Sequence, residues 1–440
     1  MSAGGKIRPR ERDAILQSLG AGIVPRVGQQ HIQVGRAREV TALVEDIDRI
    51  ADGGSAIRFV IGEYGSGKTF FLQLIRSVAM EKRLVTAHAD LTPDRRLHAT
   101  GGQARSLYAE LMRNLATRSK PEGGALQSIV ERFVTTASGD AQKRGVSTES
   151  VINERLASLT EMVGGYDFAS VIAAYCKGHE SGNDELQAAA IRWLRGEYAT
   201  KTDARQALGV RTIVTDASVY DHLKLFGRFV RLADYAGLFV CLDELVNLFK
   251  LPSSQARKSN YEQILRILND TLTSGDGIGF LLGGTPDFLM DPRKGLYSYE
   301  ALQTRLAENQ FAREGIVDYK GPILRLSNLS PEDLFVLLQN IRHVQASGDQ
   351  GQYLVPDEGI EAFMAHCSEK IGDAHFRTPR SSVKAFVNLL MAVEQNPQVQ
   401  WSDLVDKVVL ERERNPDLQP LDIEEADTPG ADDELASFEI

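Results

Sequence analysis

The chain has 440 residues, of which 42% are hydrophobic and 25% are charged, and its formal net charge is −10. This length allows a sizeable core in two or three domains, at roughly 150 residues each. No apolar run reaches the roughly 18 residues of a membrane span, and the N-terminal stretch has charges where a signal peptide would be apolar, so we expect a cytoplasmic protein without membrane contact. Cys176, Cys241 and Cys367 lack CxxC or Cys/His spacing, which predicts reduced thiols rather than disulfides or zinc ligands.

The first part of the chain predicts two helices, a loop and a β-loop-α-β unit. Residues 1 to about 20 are basic and helical in pattern, and the glycines and proline of "GAGIVPRVGQQHIQVGR" then indicate a loop. Helical spacing returns in "AREVTALVEDIDRIADGG". "AIRFVIG" is typical of a buried parallel strand, "TFFLQLIRSVAMEK" of an amphipathic helix, and "LVTAHADL" of a second strand.

The remainder alternates between helical and strand-like patterns. From about Leu107 to Tyr235 the pattern is mostly helical, and "GLFVCLDE" and "GIGFLLGGTPDF" then predict two more buried strands. Ser330 as an N-cap, with proline at the first helical position, begins a group of three helices. The stretch Asp422 to Ile440 has eight acidic and no basic residues and is predicted to be a disordered tail.

A glycine-spaced loop carries the clearest chemical signal. Gly62 to Thr69, "GEYGSGKT", match G-x-x-x-x-G-K-[ST] between a predicted strand and a predicted helix. The glycines let backbone N–H groups point at phosphate oxygens, and the positive end of the following helix adds to this field. Lys68 would reach the β- and γ-phosphates of ATP, and Thr69 would be a Mg²⁺ ligand. The alternative is a plain turn, but the strand and helix around it favour nucleotide binding.

Two carboxylates, Asp243 and Glu244, end the apolar run "LFVCLDE". Asp243 can hold Mg²⁺ through water, and Glu244 can act as general base on an attacking water. They could instead be polar residues that cap a strand, but so apolar a strand should not end in two carboxylates without a cation or partner nearby. A small-molecule kinase would share the loop without needing the glutamate, so ATP hydrolysis is preferred.

Thr285 ends the apolar run "LLGG", on a strand that could lie beside the Asp243 strand. In that position its hydroxyl could orient the attacking water. A Gly-Gly-Thr-Pro sequence is equally typical of a turn, so these residues alone leave both interpretations open.

The order of these parts resembles an AAA+ ATPase. "GEYGSGKT" matches Walker A of that family, "LFVCLDE" matches Walker B, and Thr285 matches sensor 1. The resemblance implies a P-loop NTPase α/β fold with a parallel sheet flanked by helices and a C-terminal helical lid domain. It also implies an arginine that completes a neighbouring subunit's site, Arg305 or secondly Arg313, unless these are solvated helix arginines. Arg380, or secondly Arg377, would be sensor 2 of the lid.

Four segments resemble more specifically the ATP-binding proteins of bacterial BREX-type phage-defence islands, the BrxD-like family: "GIVPRVGQQHIQVGRAREV", "RFVIGEYGSGKTFFLQLI", "AAIRWLRGEY" and "YAGLFVCLDELVNLFKL". That family is similar to the origin-recognition (initiator) branch of AAA+ proteins, in which the "VPRVG...VGR" segment packs against adenine. The implied nucleotide contacts are Val24, Val34, Gly35, Arg36, Gly62, Glu63, Tyr64, Gly65, Ser66, Gly67, Lys68, Thr69 and Phe70.

Two departures from the initiator pattern affect the domain prediction. The mostly helical residues 107–235 form a large insertion in the core, which we expect to be a surface for a partner or DNA. Too few residues follow position 395 for the winged-helix domain of initiators, so DNA recognition by that route is not expected. The predicted parts are a basic segment and adenine-side loop at 1–30, the ATPase core at 31–326, the lid at 327–395, and a C-terminal helix and acidic tail at 396–440.

Two functions remain open at this level. One is an ATP-hydrolysing homo-oligomeric motor or loader that acts on DNA or a DNA-bound partner in phage defence. The other is an ATP-dependent switch that recruits effectors such as a helicase, methyltransferase or nuclease without binding DNA itself. Two groups of basic residues could contact DNA or be solvated faces, and the acidic tail could mask them: Lys6, Arg8, Arg10 and Arg12, and Lys224, Arg228 and Arg231.

Overall fold

A five-stranded parallel sheet forms the centre of the computed structural model, which describes residues 7–273, 275–312, 317–372 and 379–410. Its strand order is β2-β3-β4-β1-β5, and every neighbouring pair is parallel. The strands are almost continuously apolar because helices cover both faces. They are β1 Ala56–Gly62, β2 Val85–Asp90, β3 Leu238–Asp243, β4 Ile278–Gly284 and β5 Ile323–Leu326.

The strand order confirms that the strand before Thr285 lies beside the strand that ends at Asp243. β4 pairs with β3 on one side and with β1 on the other. Because the strands are parallel, the segments that follow β1, β3 and β4 emerge at the same edge of the sheet. The predicted phosphate loop and both predicted carboxylates therefore lie on that edge.

One face of the sheet is covered by the helix before β1 and by the helix after it. Leu43, Ile47 and Ile50 of the first helix and Phe71 and Ile75 of the second lie in one buried cluster with the strands. The helices of the N-terminal part of the chain are α1 Pro9–Gly20, α2 Gln29–Ile32, α3 Ala37–Ala51 and α4 Lys68–Glu81.

Seven helices lie between β2 and β3, where the sequence predicts a helical insertion. Phe133, Phe168 and Phe229 pack with sheet residues such as Phe59 and Val240 in a single hydrophobic core. The insertion therefore covers the second face of the sheet rather than forming a core of its own. These helices are α5 Gln103–Arg113, α6 Leu126–Arg144, α7 Thr148–Thr160, α8 Gly165–Ser181, α9 Asp184–Leu194, α10 Lys201–Leu208 and α11 Val219–Leu232.

A separate helical cluster follows β5. Its first helix begins as predicted, because Ser330 and Asp333 exchange side chain to backbone hydrogen bonds of 3.1 Å in a capping box. Ile15 and Leu16 of α1 belong to the core of this cluster, which the sequence did not predict. The remaining helices are α12 Val246–Phe249, α13 Ser254–Thr273, α14 Pro286–Met290, α15 Glu300–Leu306, α16 Pro331–Gln345, α17 Asp357–Ile371, α18 Arg380–Gln395 and α19 Ser402–Val405.

Several sequence-based expectations concern parts of the chain outside the described residues. These are Lys6, Arg313, Arg377 and the acidic stretch from Asp422. All three cysteines are free and buried, as expected of reduced thiols. Among the helices that the structure describes, none is long and apolar enough to cross a membrane.

A buried ion pair joins α3 to the sheet and gives a test of the fold. Arg58 Nε of β1 lies 2.5 Å from Asp46 Oδ2, and both side chains are buried. We expect Asp46→Ala to lower the free energy of unfolding by about 3–5 kcal/mol, because it leaves a buried guanidinium without its counter-charge. Asp48→Ala on the same helix removes only a half-exposed pair with Lys82 and should cost at most about 1 kcal/mol. Urea unfolding followed by circular dichroism measures both, and equal losses would contradict this packing.

Candidate nucleotide-binding site

The loop between β1 and α4 has the conformation that its sequence predicts. Gly65 and Gly67 have φ angles of 81° and 82°, which side-chain-bearing residues rarely adopt, and α4 begins at Lys68. The Lys68 ammonium donates to the carbonyl oxygens of Gly62 and Glu63, each at 2.9 Å. The loop is thereby curled around the N-terminal end of α4, whose first N–H groups have no partners within the helix.

A hydrogen bond connects this loop to the neighbouring part of the sheet. Thr69 Oγ1 donates to Asp243 Oδ2 at 2.8 Å, and the Glu244 amide donates to Asp243 Oδ1 at 2.9 Å. A hydroxyl and a carboxylate are hard oxygen ligands of the type that Mg²⁺ takes together with phosphate oxygens and water. The two residues predicted to hold Mg²⁺ are thus adjacent, and they fit that ion.

Glu244 lies directly beside this pair in an unusual backbone conformation. Its φ angle is 59°, in the left-handed region, which costs roughly 1–2 kcal/mol for a residue other than glycine. Its side chain is exposed and lines the same cavity as Thr69 and Asp243. Strained residues of this kind are found at functional sites, where the surrounding structure holds them in place.

The end of β4 lies between the loop and Asp243. A Cβ atom at Gly283 would be 2.4 Å from Asp243 Oδ1 and 2.8 Å from Leu72 Cδ1, so only glycine leaves room for the carboxylate. Thr285, two residues on, lines the cavity, and its hydroxyl accepts a hydrogen bond from the Phe288 amide as the N-cap of α14. Thr285 therefore begins a short helix at the edge of the cavity, beside the residues predicted to bind the phosphates.

Asp90 is a carboxylate near this edge that the sequence analysis did not single out. It is the last residue of β2 and the register partner of Asp243. Burial raises the pKa of Asp90, and the nearby Asp243 carboxylate raises it further. The available signal was a carboxylate near the end of the predicted strand "LVTAHADL".

The cavity above the loop has an apolar end formed by parts of the chain that are far apart in sequence. Its volume is about 240 Å³. Val24 and Val34 line it, as the resemblance implies, but Gly35 does not. Other apolar residues at this end were not predicted from the sequence. They come from the N-terminal loop, from α2 and from the C-terminal helices: Ile23, Pro25, Ile32, Leu337 and Val383.

Arg36 lines the cavity but makes polar rather than apolar contacts. Its Nη2 atom donates to the Ser66 carbonyl of the loop at 2.6 Å and to the Ser327 carbonyl at 2.9 Å. Ser327 follows β5 directly and leads into α16. Burial lowers the pKa of Arg36, while Glu39 and Asp333 oppose this effect. Arg36 therefore ties the predicted phosphate loop to the segment that connects the sheet with the C-terminal helices.

The two predicted catalytic arginines occupy different surroundings. Arg380 begins α18, lines the cavity and lies against Gly22 of the N-terminal loop. Arg305 is exposed on α15, donates to Asn269 Oδ1 at 2.6 Å and does not line the cavity. One chain therefore brings Arg380, but not Arg305, to the site.

The predicted basic face on α11 is largely neutralised. Lys224 pairs with Asp221 and Asp270, and Arg228 pairs with Asp276 at 2.6 Å. Arg231 donates to the carbonyl oxygens of Ile50 and Ala236. The sequence left these three residues as either a DNA contact or a solvated face, and in the structure acidic side chains and backbone oxygens already engage them.

The family comparison agrees with this geometry. The family model described as "BREX system ATP-binding protein BrxC/D" matches residues 7–409. The chain belongs to this family. No protein of curated function matches the chain in sequence. The resemblance to BREX ATP-binding proteins is thus confirmed, and the protein is an ATP-binding protein of the BREX phage-defence type, with a parallel α/β fold compatible with a P-loop NTPase.

Because β4 approaches Asp243 closely, adding one methyl group at Gly283 should disturb the predicted metal ligand. Gly283→Ala should displace the Asp243 carboxylate, because the added methyl group has a steric cost of roughly 1–3 kcal/mol. The factor by which Mg²⁺ raises the affinity for ATP should therefore fall at least about tenfold. Gly139→Ala in α6 is the matched control, because its Cβ would meet nothing within 4 Å. Calorimetric titration of the protein with ATP, once in the presence of Mg²⁺ and once in EDTA, measures this factor. An undiminished Mg²⁺ effect in Gly283→Ala would refute the proposed metal position.

Proposed function

We propose that this chain hydrolyses ATP as an AAA+ ATPase and works as a homo-oligomeric motor or loader on DNA or on a DNA-bound partner in phage defence. The observation that carries hydrolysis is the 2.8 Å hydrogen bond from Thr69 to Asp243, with Glu244 beside it on the same cavity. Binding alone needs the loop, whereas cleavage needs a metal ligand and a base at this place.

The residues of the site suggest a division of roles. Lys68 would exchange the carbonyl oxygens of Gly62 and Glu63 for the β- and γ-phosphate oxygens. Thr69 and Asp243 would hold Mg²⁺, which neutralises phosphate charge when bound. Glu244 would accept a proton from water as the water oxygen bonds to the γ-phosphorus and the bond to ADP breaks.

The cavity suggests where the rest of the nucleotide lies. Its apolar end, with Val24 and Val34, suits the adenine ring, and the loop suits the phosphates. Thr285 would orient the attacking water, and Arg380 would bring α18 toward the γ-phosphate. ATP would thus contact both the edge of the sheet and the C-terminal helices. Hydrolysis could then change the position of these helices relative to the sheet, as in a lid domain.

The exposure of Arg305 outside its own chain's cavity supports a role in a neighbouring subunit. An arginine supplied by a second chain can stabilise the charge that develops on the transferred phosphate. Such a contact requires at least a dimer and couples hydrolysis to assembly. Helicases, methyltransferases or nucleases of the same defence system are the candidate partners on which the assembly would act.

Steady-state ATPase rates with and without duplex DNA test the proposed activity. Glu244→Gln should lower kcat by about 10²–10⁴-fold while ATP still binds, because only the proton acceptor is lost. Lys68→Ala should lose binding as well, and Glu262→Gln, an exposed carboxylate on α13, should change neither. Full activity in Glu244→Gln would refute the assigned base. Turnover that DNA does not change would favour the alternative of a switch that recruits effectors.

Mixing two inactive variants tests the role of Arg305. Arg305→Ala and Lys68→Ala should each be inactive alone, yet mixtures should regain part of the activity, because a Lys68→Ala chain can supply its intact Arg305 to a neighbour with an intact loop. Arg293→Ala, another exposed arginine, should behave like the unmodified chain. Mixtures that stay inactive at every ratio and concentration would contradict catalysis across a subunit boundary.

A further inference from the structure

The region from Arg192 to Arg211 has a charge opposite to that of the whole chain. It holds five basic and two acidic residues, a net charge of +3, whereas the full chain carries −10. It covers the end of α9 and all of α10 in the helical insertion, and it overlaps the segment "AAIRWLRGEY", to which the proposed ATPase chemistry gives no role. A local positive surface on an acidic protein directs negatively charged partners to that place.

Two arginines contact Tyr198, which lies in the middle of this basic region. The guanidinium of Arg192 lies 4.6 Å from the centre of the Tyr198 ring, and Arg105 Nη1 donates to the Tyr198 carbonyl at 3.5 Å. Thr200, two residues later, caps α10, whose Lys201 and Arg205 are one helical turn apart and exposed. We name as the Tyr198 surface the residues Arg105, Arg192, Arg195, Lys201, Arg205 and Arg211.

These cations differ from those of α11 in their freedom to bind a ligand. Arg192, Lys201 and Arg205 form no ion pair with any residue that the structure describes. Two acidic residues, Glu197 and Asp203, are exposed nearby and reduce the positive charge without pairing with these cations. A phosphate could therefore bind here without first breaking an ion pair among the described residues.

A polar groove opens beside Tyr198 and adds hydrogen-bonding capacity. It measures about 440 Å³ and lies between α6, α8 and α9, with Arg192 and Arg195 among its lining residues. Gln127 and Gln187 line it as well, together with two carboxylates, Asp184 and Glu197. Arg195 Nε is buried there without a hydrogen-bond partner among the described residues. Guanidinium groups match the geometry of phosphate oxygens, and the carboxamides can bind phosphate or sugar oxygens.

We propose that the Tyr198 surface binds the phosphodiester backbone of duplex DNA. This deepens the proposed function, on which it rests, by assigning the DNA contact to the region of α9 and α10 in the insertion rather than to α11. Contacts from lysine and arginine to phosphates give binding without sequence preference and release counterions, so the affinity should fall steeply with salt. DNA bound here would be held at the insertion, which shares its core with the ATPase sheet.

Fluorescence anisotropy with a labelled duplex of mixed sequence, over a range of salt concentrations, tests this proposal. The triple variant Arg192→Ala, Lys201→Ala and Arg205→Ala should reduce the slope of log K against log salt by about 2–3 units, since each lost phosphate contact contributes about 0.9. The control Lys143→Ala, Lys258→Ala and Lys370→Ala removes three exposed charges elsewhere and should leave the slope unchanged. Arginine-to-lysine exchange at positions 192 and 205 should largely retain binding.

The outcomes separate this proposal from the proposed ATPase activity. Equal slopes for the two triple variants, or no duplex binding by the unmodified chain, would overturn the Tyr198 surface even if ATP is hydrolysed. Binding that only the first triple variant weakens would support it, even if the chain proves to hydrolyse no ATP. The basal ATPase rate and thermal unfolding of the triple variant should match those of the unmodified chain, because none of the three residues lies in the nucleotide site.

Discussion

The hydrogen bond from Thr69 to Asp243 depends on a geometric constraint of the sheet. The loop follows β1 and the carboxylate ends β3, and β4 lies between these two strands. Neighbouring strands are about 4.8 Å apart, so the two groups must meet across the end of β4. They do so over Gly283, where any side chain would collide with Asp243 Oδ1. The site therefore exists because three neighbouring strands end within a residue of one another and the middle one ends in glycines.

A second polar tie extends this arrangement to the C-terminal helices. Arg36 holds the Ser66 carbonyl of the loop and the Ser327 carbonyl after β5 with one nitrogen atom. A change in the geometry of the loop when phosphate binds would thus displace Arg36 and the start of the segment that leads to α16. Phe70, next to Thr69, also packs against the core of these helices. Both contacts give a physical route by which nucleotide occupancy could alter the position of the helices.

Local sequence patterns predicted the parts of the molecule that local interactions determine. Strands β1 to β4, the phosphate loop and the N-cap at Ser330 follow from apolar periodicity, glycine spacing and capping chemistry, all within a few residues. The short edge strand β5 was not predicted. The adjacency of Asp243 and Thr285 followed from strand ends in a parallel sheet. Long-range contacts were not predictable in this way. Arg36 bonds to a residue 291 positions away, and α1 joins the core of helices near the other end of the chain.

Charge patterns in the sequence did not distinguish basic residues that are paired in the fold from those that are not. Lys224 and Arg228 recur on one helix as a basic face would, but their partners Asp270 and Asp276 come from a later part of the chain. The Tyr198 surface is less regular in sequence and needs the fold to bring Arg105 beside Tyr198. Pairing with distant acidic residues therefore decides which basic residues remain available.

A structure of Glu244→Gln bound to ATP and Mg²⁺ would test the central claim most directly. We expect the metal ion at the Thr69 hydroxyl beside the Asp243 carboxylate, the γ-phosphate facing position 244, and the adenine ring between Val24 and Val34. Phosphates bound away from the loop, or a metal ion that contacts neither Thr69 nor Asp243, would contradict it.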